Sequence, residues 1–216
     1  MTYNSPELVR ASYDGDLVTV RKLVESGADV NSIDEHGMGP LLTFTPSVTE
    51  YLLSKGADPN HQTNENGAPV LAGTAYMNNA ECVRLLLEGG ADPNAAQQTT
   101  GETPLHSCLA KPDGNRHAVV KLLIEHGADP NRRTIAGVQT FAFWRDVRTR
   151  GETPLHRAAA YAAEETVQLL LDAGADKTIR DANGDSPQSW ASWHWRPRPL
   201  IDLLNPQETK RDNKNK

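Results

Sequence analysis

Short apolar runs separated by polar breaks recur along the chain, and the pattern is most complete in residues 151–177, GETPLHRAAAYAAEETVQLLLDAGADK. Leu155 and the alanines after it give a narrow apolar face at helical spacing, and the run VQLLL gives a broader one. Thr153 and Pro154 predict the start of a helix, since Thr can cap it and Pro at the first position loses no hydrogen bond. Gly174 predicts the end of a second helix. Such a helix pair cannot bury its apolar faces alone, so we expect it to stack on copies of itself.

The same order of residues recurs in residues 101–131, where GETPLH is followed by VVKLLIEHGADPN. Two copies of GETPLH and five of Gly-Ala-Asp resemble the ankyrin repeat, which has a Thr-Pro-Leu-His signature and a period of about 33 residues. The resemblance covers roughly residues 5–204. It implies an all-α solenoid of about six stacked helix-turn-helix units joined by β-hairpin-like loops. It also implies structural roles for the motif residues, with each histidine hydrogen-bonding loops between repeats: Thr103, Pro104, Leu105, His106, Thr153, Pro154, Leu155 and His156.

Motif spacing divides a single predicted repeat domain, residues 1–204, into units. The units occupy about 5–36, 37–66, 67–100, 101–150 and 151–183, and a C-terminal cap follows at 184–204. The first unit and the cap are expected to end the stack, since end repeats keep one face polar. The last residues, 205–216, are polar and charged, and we expect them to be disordered.

The second unit is shorter than the complete one. Gly37 and Gly56 are 19 positions apart, against 23 for Gly151 and Gly174. Pro46 is expected to cut its first helix to under two turns, because proline inside a helix removes a hydrogen bond and clashes with the preceding turn. We therefore expect this unit to be the thinnest part of the stack and the first to open.

A long insert, residues 132–150, interrupts the joint between the fourth and fifth units. Asn131 and Gly151 are 20 positions apart, whereas the same interval is 6 or 7 at other joints, so about 13 residues have been added. The insert is basic and aromatic, containing Arg132, Arg133, Phe141, Phe143, Trp144, Arg145, Arg148 and Arg150. It can pack on the neighbouring hairpins as a satellite cluster, form part of a partner-binding surface, or bind phosphate or RNA. The first two interpretations are compatible.

The resemblance also implies where a partner would bind, because ankyrin domains bind proteins through their hairpin tips and the exposed face of their first helices. The matching positions are the helix residues Tyr13, Asp14, Tyr76, Met77 and Tyr161, the hairpin residues Glu65, Thr100, Arg150 and Glu152, and the insert residues Phe141, Phe143, Trp144, Arg145 and Arg148. In the cap, Trp190 and Trp193 share a helix face and are expected in the core, while Trp195 turns elsewhere. An aromatic recognition patch is the alternative for these tryptophans.

Composition narrows the choice of partner and compartment. The chain has 22 Lys and Arg against 28 Asp and Glu, so it lacks the basic balance of a general nucleic-acid or membrane-surface binder. An acidic rod would instead suit a basic protein partner. No apolar run approaches the roughly 18 residues of a membrane span, and the N-terminus has no signal-peptide pattern. Cys82 and Cys108 form no metal or disulfide pattern and are expected to be buried. We expect a cytoplasmic monomer.

The sequence predicts no catalytic centre. The histidines lack ligand spacing such as H-E-x-x-H, and the sequence has no phosphate-binding or nucleophile-elbow motif, so no metal, cofactor or enzymatic activity is predicted. The predicted function is a non-catalytic protein-protein interaction module that binds one partner stoichiometrically through its concave face and the insert. A capped repeat chain without an attached domain resembles small free-standing bacterial ankyrin proteins, some of which are inhibitors or immunity proteins. The alternatives are a phosphate- or RNA-binding regulator using the arginines and an enzyme-coupled effector using His106 or His156.

Overall fold

Short helices in stacked pairs form the part of the chain that the computed structural model describes, residues 6–63, 67–112, 115–139 and 149–207. The first two units contain α1 (Pro6–Tyr13), α2 (Leu17–Glu25) and α3 (Pro46–Ser54). An antiparallel hairpin of β1 (Gln62–Thr63) and β2 (Ala68–Pro69), with Gln62 opposite Pro69, leads into the third unit. The later units contain α4 (Val70–Tyr76), α5 (Ala80–Glu88), α6 (Pro104–Cys108), α7 (His117–Glu125), α8 (Pro154–Tyr161), α9 (Glu164–Asp172), α10 (Pro187–Trp193) and α11 (Arg198–Leu203). The predicted all-α solenoid is confirmed.

The repeated motif fixes where the helices begin and end. Thr153 precedes the proline that begins α8, and its backbone N–H donates to His156 Nδ1 at 3.1 Å, which closes the first turn. At the other end of the unit, Gly174 has a φ of 88°, and the next residue, Ala175, donates its N–H to the Leu170 carbonyl at 2.9 Å. The same arrangement ends α2, α3, α5 and α7, so each Gly-Ala-Asp turns the chain out of a second helix.

All the helices are short. The longest in the described ranges have nine residues, and isolated helices of this length are marginal in water, so each depends on packing against its neighbours. None of these helices has the length and apolar character that spanning a bilayer requires.

An apolar seam runs along the stack from α1 to α11. Small residues of the first helices, such as Ala158 and Ala159, allow close approach, and larger residues of the second helices, such as Val167 and Leu170, fill the space between pairs. Neighbouring first helices pack on each other, α4 on α6 and α8 on α10. Because each unit contacts its neighbours, apolar burial links the units in a row.

The second unit differs from the prediction. Residues 37–45 form turns and bends without a helix, and Pro46 begins α3 instead of shortening a first helix. Proline suits this place because the first N–H of a helix has no intrahelical acceptor. Leu42 partly fills the space of the missing helix, and its Cδ1 lies 3.1 Å from where a Cβ on Gly73 of α4 would stand. Glycine at this position of α4 therefore gives Leu42 room to pack against the third unit.

A row of asparagines, which was not predicted, joins successive units. The Asn131 side chain accepts the N–H of Asp176 at 2.8 Å and donates to the Gly174 carbonyl at 2.9 Å, so one amide bonds the turn that ends the next unit. The same two bonds recur at three other joints of the described chain, where they are made by Asn31, Asn60 and Asn94. Each Gly-Ala-Asp turn after the first is thus held by the unit before it as well as by its own helix.

The C-terminal cap buries one of its three tryptophans. Trp190 lies in the core and donates its indole N–H to Asp181 at 3.1 Å. Trp193 was expected beside it, but its side chain is 53% exposed. Side chains three residues apart on an α-helix point in directions that differ by roughly 60°. This rotation places Trp193 beyond the edge of the face that buries Trp190. Trp195 is 92% exposed, and residues 208–216 of the predicted disordered tail lie outside the described residues.

Candidate functional site

The two motif histidines, which were the residues most open to a catalytic interpretation, lie in the core. His106 and His156 are fully buried, and Nδ1 of each accepts the backbone N–H of the threonine that caps its helix. The Nε2 of His106 lies 3.2 Å from the Glu152 carbonyl, and that of His156 lies 3.1 Å from the Asp185 carbonyl. Burial lowers the pKa of His106 to about 4 and also lowers the pKa of His156, which favours neutral rings. Each histidine therefore bridges one unit to the next.

A buried ion cluster lies between the fourth and fifth units. Arg157 has 0% of its surface exposed, and its Nη2 lies 2.7 Å from Glu102 Oε1 and 2.6 Å from Glu152 Oε1. Its Nη1 donates to the His106 carbonyl at 2.8 Å. Glu102, Glu152 and Arg157 are called the Arg157 cluster below. Burial opposes ionisation of both carboxyls, but the guanidinium outweighs it and lowers their pKa values, that of Glu152 to about 2. The cluster thus joins the two units by charge as well as by packing.

The Arg157 cluster also holds the base of the insert. Glu152 Oε2 accepts the hydroxyl of Thr134 at 2.7 Å, and the Thr134 N–H donates to the Glu152 carbonyl at 3.0 Å. Further along, the Thr149 N–H donates to the Val138 carbonyl at 2.8 Å. Residues 140–148, which connect the two arms, lie outside the described residues. The arms of the insert therefore leave the stack as a paired hairpin whose base is fixed in the core.

Two predicted hairpin contacts are corrected by this burial. Glu152 is 1% exposed and Thr100 is also buried, so neither side chain is available on the hairpin surface. The guanidinium of Arg157 draws Glu152 inward, while Thr100 donates its hydroxyl to Glu102 at 3.0 Å. Arg157 was not identified from the sequence, because it lies just outside the GETPLH motif and its partner Glu102 belongs to the preceding unit. The signal that could have found it was the pair of GETPLH glutamates together with one arginine directly after the second motif.

The predicted contact residues on the helices share one location. Tyr13, Asp14 and Met77 are exposed, and Tyr76 and Tyr161 are half-buried; all five lie at the C-terminal ends of first helices. Because a short turn reverses the chain within each pair, these ends lie at the edge of the stack opposite the hairpins. This edge, called the turn edge below, comprises residues 13–18, 76–81, 109–112, 161–165 and 193–196.

The insert residues have mixed positions. Arg133 is held at the hairpin edge, where it donates to the Gly151 and Arg180 carbonyls, each at 2.8 Å. Arg150 is half-buried, with its guanidinium 5.8 Å from the centre of the Trp190 ring. The remaining predicted contact residues of the loops lie outside the described residues: Glu65, Phe141, Phe143, Trp144, Arg145 and Arg148.

The missing helix of the second unit leaves a shallow pocket of about 170 Å³ beside α1. Its lining is mainly apolar, with one cation and one carboxylate among the residues Pro6, Val9, Arg10, Tyr13, Asp34, Met38 and Leu42. A pocket of this size and polarity can receive one large side chain, and buried anchoring side chains carry much of the energy in protein interfaces.

The thiols and the remaining candidate ligands give no reactive constellation in the described ranges. Cys82 and Cys108 are buried, as predicted, and burial raises the pKa of the Cys108 thiol to about 12, which disfavours a nucleophilic thiolate. Among the described residues, no three His, Cys, Asp or Glu side chains come together as metal ligands would.

The architecture defines the class of protein: a solenoid of stacked helix pairs whose motif residues bond each repeat to the next. Family models described as Ankyrin repeats (3 copies) match residues 8–94 and 43–134, and one described as Ankyrin repeat matches residues 150–182. These matches span more than half of the chain. The chain belongs to the ankyrin repeat family, whose repeats mediate protein-protein interaction.

The relatives with similar sequences are mostly much longer proteins. The chain is 30% identical over 203 residues to the E3 ubiquitin-protein ligase KEG of Arabidopsis thaliana, an alignment that covers 78% of this chain and 12% of KEG. It is 35% identical over 137 residues to the putative ankyrin repeat protein FPV031 of Fowlpox virus (strain NVSL), covering 62% of this chain and 35% of FPV031. The chain thus spans about an eighth to a third of the length of these relatives, and the similarity concerns the repeat region.

A solved structure matches nearly the whole fold. It is the complex of the predatory endopeptidase Bd0816 from Bdellovibrio bacteriovorus with the immunity protein Bd3460. The match has a TM-score of 0.73 and 21% sequence identity, and it covers 94% of this chain and 100% of the matched chain. At this identity the likeness shows the fold.

Proposed function

We propose that the chain is a non-catalytic binding protein that occupies one protein partner stoichiometrically and acts as an inhibitor or immunity protein. The observation that carries the proposal is how its polar residues are used. His106, His156, Glu102 and Glu152, the groups best suited to acid-base chemistry, are buried and bond one repeat to the next. The exposed aromatic and apolar groups, in contrast, are available to contact a partner.

The likeness to the endopeptidase–immunity protein complex supports the inhibitory part of this proposal. A stack of the same architecture and extent takes part in a complex there, and blocking a partner requires only a rigid surface of sufficient size. The formal net charge of −6 adds a preference for a basic partner, since complementary charge speeds encounter and disfavours wrong partners.

A phosphate- or RNA-binding role through the arginines has less support from the described residues. Arg133 donates to two backbone carbonyls, Arg157 is buried between carboxylates, and Arg150 lies against Trp190. Arginines engaged in this way are poorly placed to recruit a phosphate. The discriminating property is salt dependence, because phosphate contacts would make the affinity fall steeply with added salt.

The test is isolation of the partner from the native cell. The full chain, carrying an affinity tag, is expected to retain one protein, and light scattering on the purified complex is expected to give a 1:1 ratio. Adding the chain to that partner is expected to reduce the partner's activity in proportion to the amount added. Absence of a stoichiometric protein complex, or turnover of a small compound by the purified chain, would overturn the proposal.

The insert has its own test within the same complex. Trp144→Ala is expected to weaken binding by more than about 1 kcal/mol, since tryptophan is enriched among residues that dominate interfaces. Affinity can be measured by calorimetry, with circular dichroism confirming that the variant keeps its helical content. Unchanged affinity would remove the insert from the interface while leaving the stoichiometric complex in place.

A further inference from the structure

Two loops of the chain have the same hydrogen bonds around an aspartate. In the C-terminal cap, Asp181 Oδ1 accepts the N–H groups of the second and fourth residues after it, each at 2.9 Å. In the second unit, Asp34 Oδ1 accepts the N–H groups at the same two spacings, at 2.9 and 2.8 Å. Each aspartate also donates its own N–H to the carbonyl of the fourth residue, at 2.8 Å in the cap and 2.9 Å in the second unit. The two loops are therefore one structure used at two places in the stack.

The two loops differ in the use of the second carboxylate oxygen. Asp181 Oδ2 accepts the indole N–H of Trp190 at 3.1 Å, and Trp190 lies nine positions further on, in the first helix of the cap. The residue nine positions after Asp34 is Thr43, and residues 37–45 form no helix. In the described part of the chain, Asp34 Oδ2 has no hydrogen-bond partner. The second unit thus retains an acceptor that the cap gives to an indole, but it lacks the indole.

Asp34 borders the shallow pocket beside α1, which has the size and the walls that an aromatic ring needs. The pocket measures about 170 Å³, and closed apolar cavities of about 150 Å³ bind benzene. Met38 and Leu42 form part of its apolar lining, and methionine sulfur makes favourable contacts with aromatic rings. Tyr13, at the turn edge, adds an aromatic wall that packs edge-on against Phe44, with 5.8 Å between ring centres. This wall is in place before a partner binds, which lowers the entropic cost of binding.

The pocket also contains a guanidinium. Arg10 lines it, and its exposed side chain lies 3.8 Å from Asp14, a contact weak enough in water to be rearranged on binding. Guanidinium groups are attracted to the face of an indole ring. In the cap, the Arg150 guanidinium lies 5.8 Å from the centre of the Trp190 ring. An indole in the pocket would therefore meet the two kinds of charged group that surround Trp190, a carboxylate and a guanidinium.

We propose that the pocket between α1 and residues 34–42 is a contact site for the protein partner and receives a tryptophan side chain of that partner. The indole ring packs on the apolar lining, and its N–H donates to Asp34 Oδ2, as that of Trp190 donates to Asp181 in the cap. Tryptophan is enriched among the anchoring residues that dominate protein interfaces. The proposal rests on the proposed function, and it names the side chain that the partner presents.

The test uses N-acetyltryptophanamide as the probe, so it does not depend on isolating the native partner. The backbone amide signals of the full, isotope-labelled chain are followed by NMR while the probe is added. The signals of α1 and of residues 34–42 are expected to shift together, with a dissociation constant on the order of 10 mM for a single ring system. The same probe methylated at the indole nitrogen cannot donate a hydrogen bond, and we expect it to bind about fivefold more weakly.

Asp34→Asn and Asp181→Asn are matched variants that separate recognition from folding. Asparagine keeps one oxygen for the two loop N–H groups and replaces the other oxygen by a donor. Asp34→Asn is expected to weaken binding of the probe about fivefold and to leave the thermal midpoint unchanged. Asp181→Asn is expected to lower the thermal midpoint, because the buried indole N–H of Trp190 loses its acceptor, and to leave the affinity for the probe unchanged.

Several results would overturn the inference. The first is that the signals of α1 and of residues 34–42 do not shift when the probe is added. The second is equal affinity for the probe and its methylated form, which would show that the indole N–H is not recognised. The third is an affinity that Asp34→Asn leaves unchanged or that Asp181→Asn weakens to the same extent, since either result would remove Asp34 from the contact.

Two further results would assign the pocket to another occupant and so contradict the proposal. If the same signals shift as the chain is concentrated, and Trp195→Gly removes that shift, the occupant is the exposed Trp195 of a second copy. If deletion of residues 2–5 tightens binding of the probe about tenfold, the occupant is the chain's own N-terminal segment. A 1:1 complex with the native partner could still form in each of these cases. Conversely, the probe could bind a chain that retains no partner, so the two proposals fail separately.

Discussion

The second unit and the joint between the fourth and fifth units are stabilised by different kinds of contact. At the joint, the His106 ring and the Arg157 cluster bond one repeat to the next in the core. In the second unit the motif is lost, Leu42 stands in place of the motif histidine, and residues 37–45 form no helix. The second unit is held by apolar packing around α3, by the asparagine bonds on either side and by the Asn79 side chain, which donates to the Phe44 carbonyl at 2.7 Å; a shallow pocket lies beside it.

This difference shows what the motif contributes beyond helix formation. Polar groups buried at the joint are stabilising only while every partner is present, because an unpaired charge or donor in a low-dielectric interior is costly. The second unit has fewer buried polar groups that need a partner, and it leaves space at its surface. We therefore expect the stack to be more rigid where the insert is based than near its N-terminal end.

The largest expected effect comes from Arg157→Met, which removes the cation and leaves Glu102 and Glu152 buried without it. Loss of one partner from a buried ion group costs about 3–5 kcal/mol, so the free energy of unfolding is expected to fall by that amount. Urea unfolding followed by circular dichroism measures the change.

Arg84→Met is the matched control for this variant. Arg84 also contacts two carboxylates, Glu81 at 2.6 Å and Glu88 at 2.5 Å, but on an exposed helix surface. Exposed ion pairs contribute between zero and about 1 kcal/mol, so this variant is expected to change stability little. Similar losses of unfolding free energy in the two variants would show that the buried Arg157 cluster contributes no more to stability than an exposed ion pair.

The next effect is a loss of stability in acid. The pKa of His106 falls from 6.5 to about 4 on folding, because burial disfavours the charged ring. Below pH 6.5 the unfolded chain binds a proton that the folded chain does not, so this contribution is present above pH 6.5 and is lost as pH falls towards 4. Glu152, with its pKa lowered from 4.5 to about 2, adds a second loss between those values.

Denaturation at pH 7 and pH 4.5 measures the first of these losses, which should be about 2 kcal/mol. His106→Gln lowers stability at pH 7 but is expected to reduce the fall between pH 7 and pH 4.5, because the titrating ring is gone. An unchanged pH dependence in His106→Gln would contradict the assignment. The burial of His156 acts in the same direction and should leave part of the dependence in place.

The smallest effect tests the close packing around the second unit. Alanine favours a helix over glycine by about 1 kcal/mol, but a Cβ at Gly73 would stand 3.1 Å from Leu42 Cδ1. Gly73→Ala is therefore expected to change stability by less than about 0.5 kcal/mol in the unaltered chain and to stabilise a Leu42→Ala chain by about 1 kcal/mol. The double-mutant cycle measures the difference between the two backgrounds. Equal effects of Gly73→Ala in both would show that contact with Leu42 does not limit the stabilisation by alanine.

Local signals in the sequence were enough to predict the repeats. Capped prolines and the Gly-Ala-Asp turns follow from residues a few positions apart, whose chemistry is the same wherever the unit is placed. The roles of His106 and His156 were implied by the resemblance to ankyrin repeats. The absence of a first helix in the second unit was not predicted, because Pro46 suits a helix start as well as a helix break, and only the packing of α3 decides between them.

The contacts that distinguish this chain could not be predicted in the same way. Arg157 meets Glu102 across 55 positions and Asn131 bonds Asp176 across 45, distances in sequence that depend on the insert. The aromatic residues chosen as contact candidates at Tyr13, Tyr76 and Tyr161 do share one edge, but the sequence alone did not separate that edge from the hairpin side. That separation depends on the direction of each helix in the stack.

Native-state hydrogen exchange compares the two regions most directly. Amides of α3 are expected to exchange through openings of lower free energy than those of α7 and α9, since local stability follows buried contacts and bonded neighbours. The protection of α7 and α9 should fall towards that of α3 when Arg157 is replaced by Met. Exchange in α3 as slow as, or slower than, that in α7 and α9 of the unaltered chain would contradict the account.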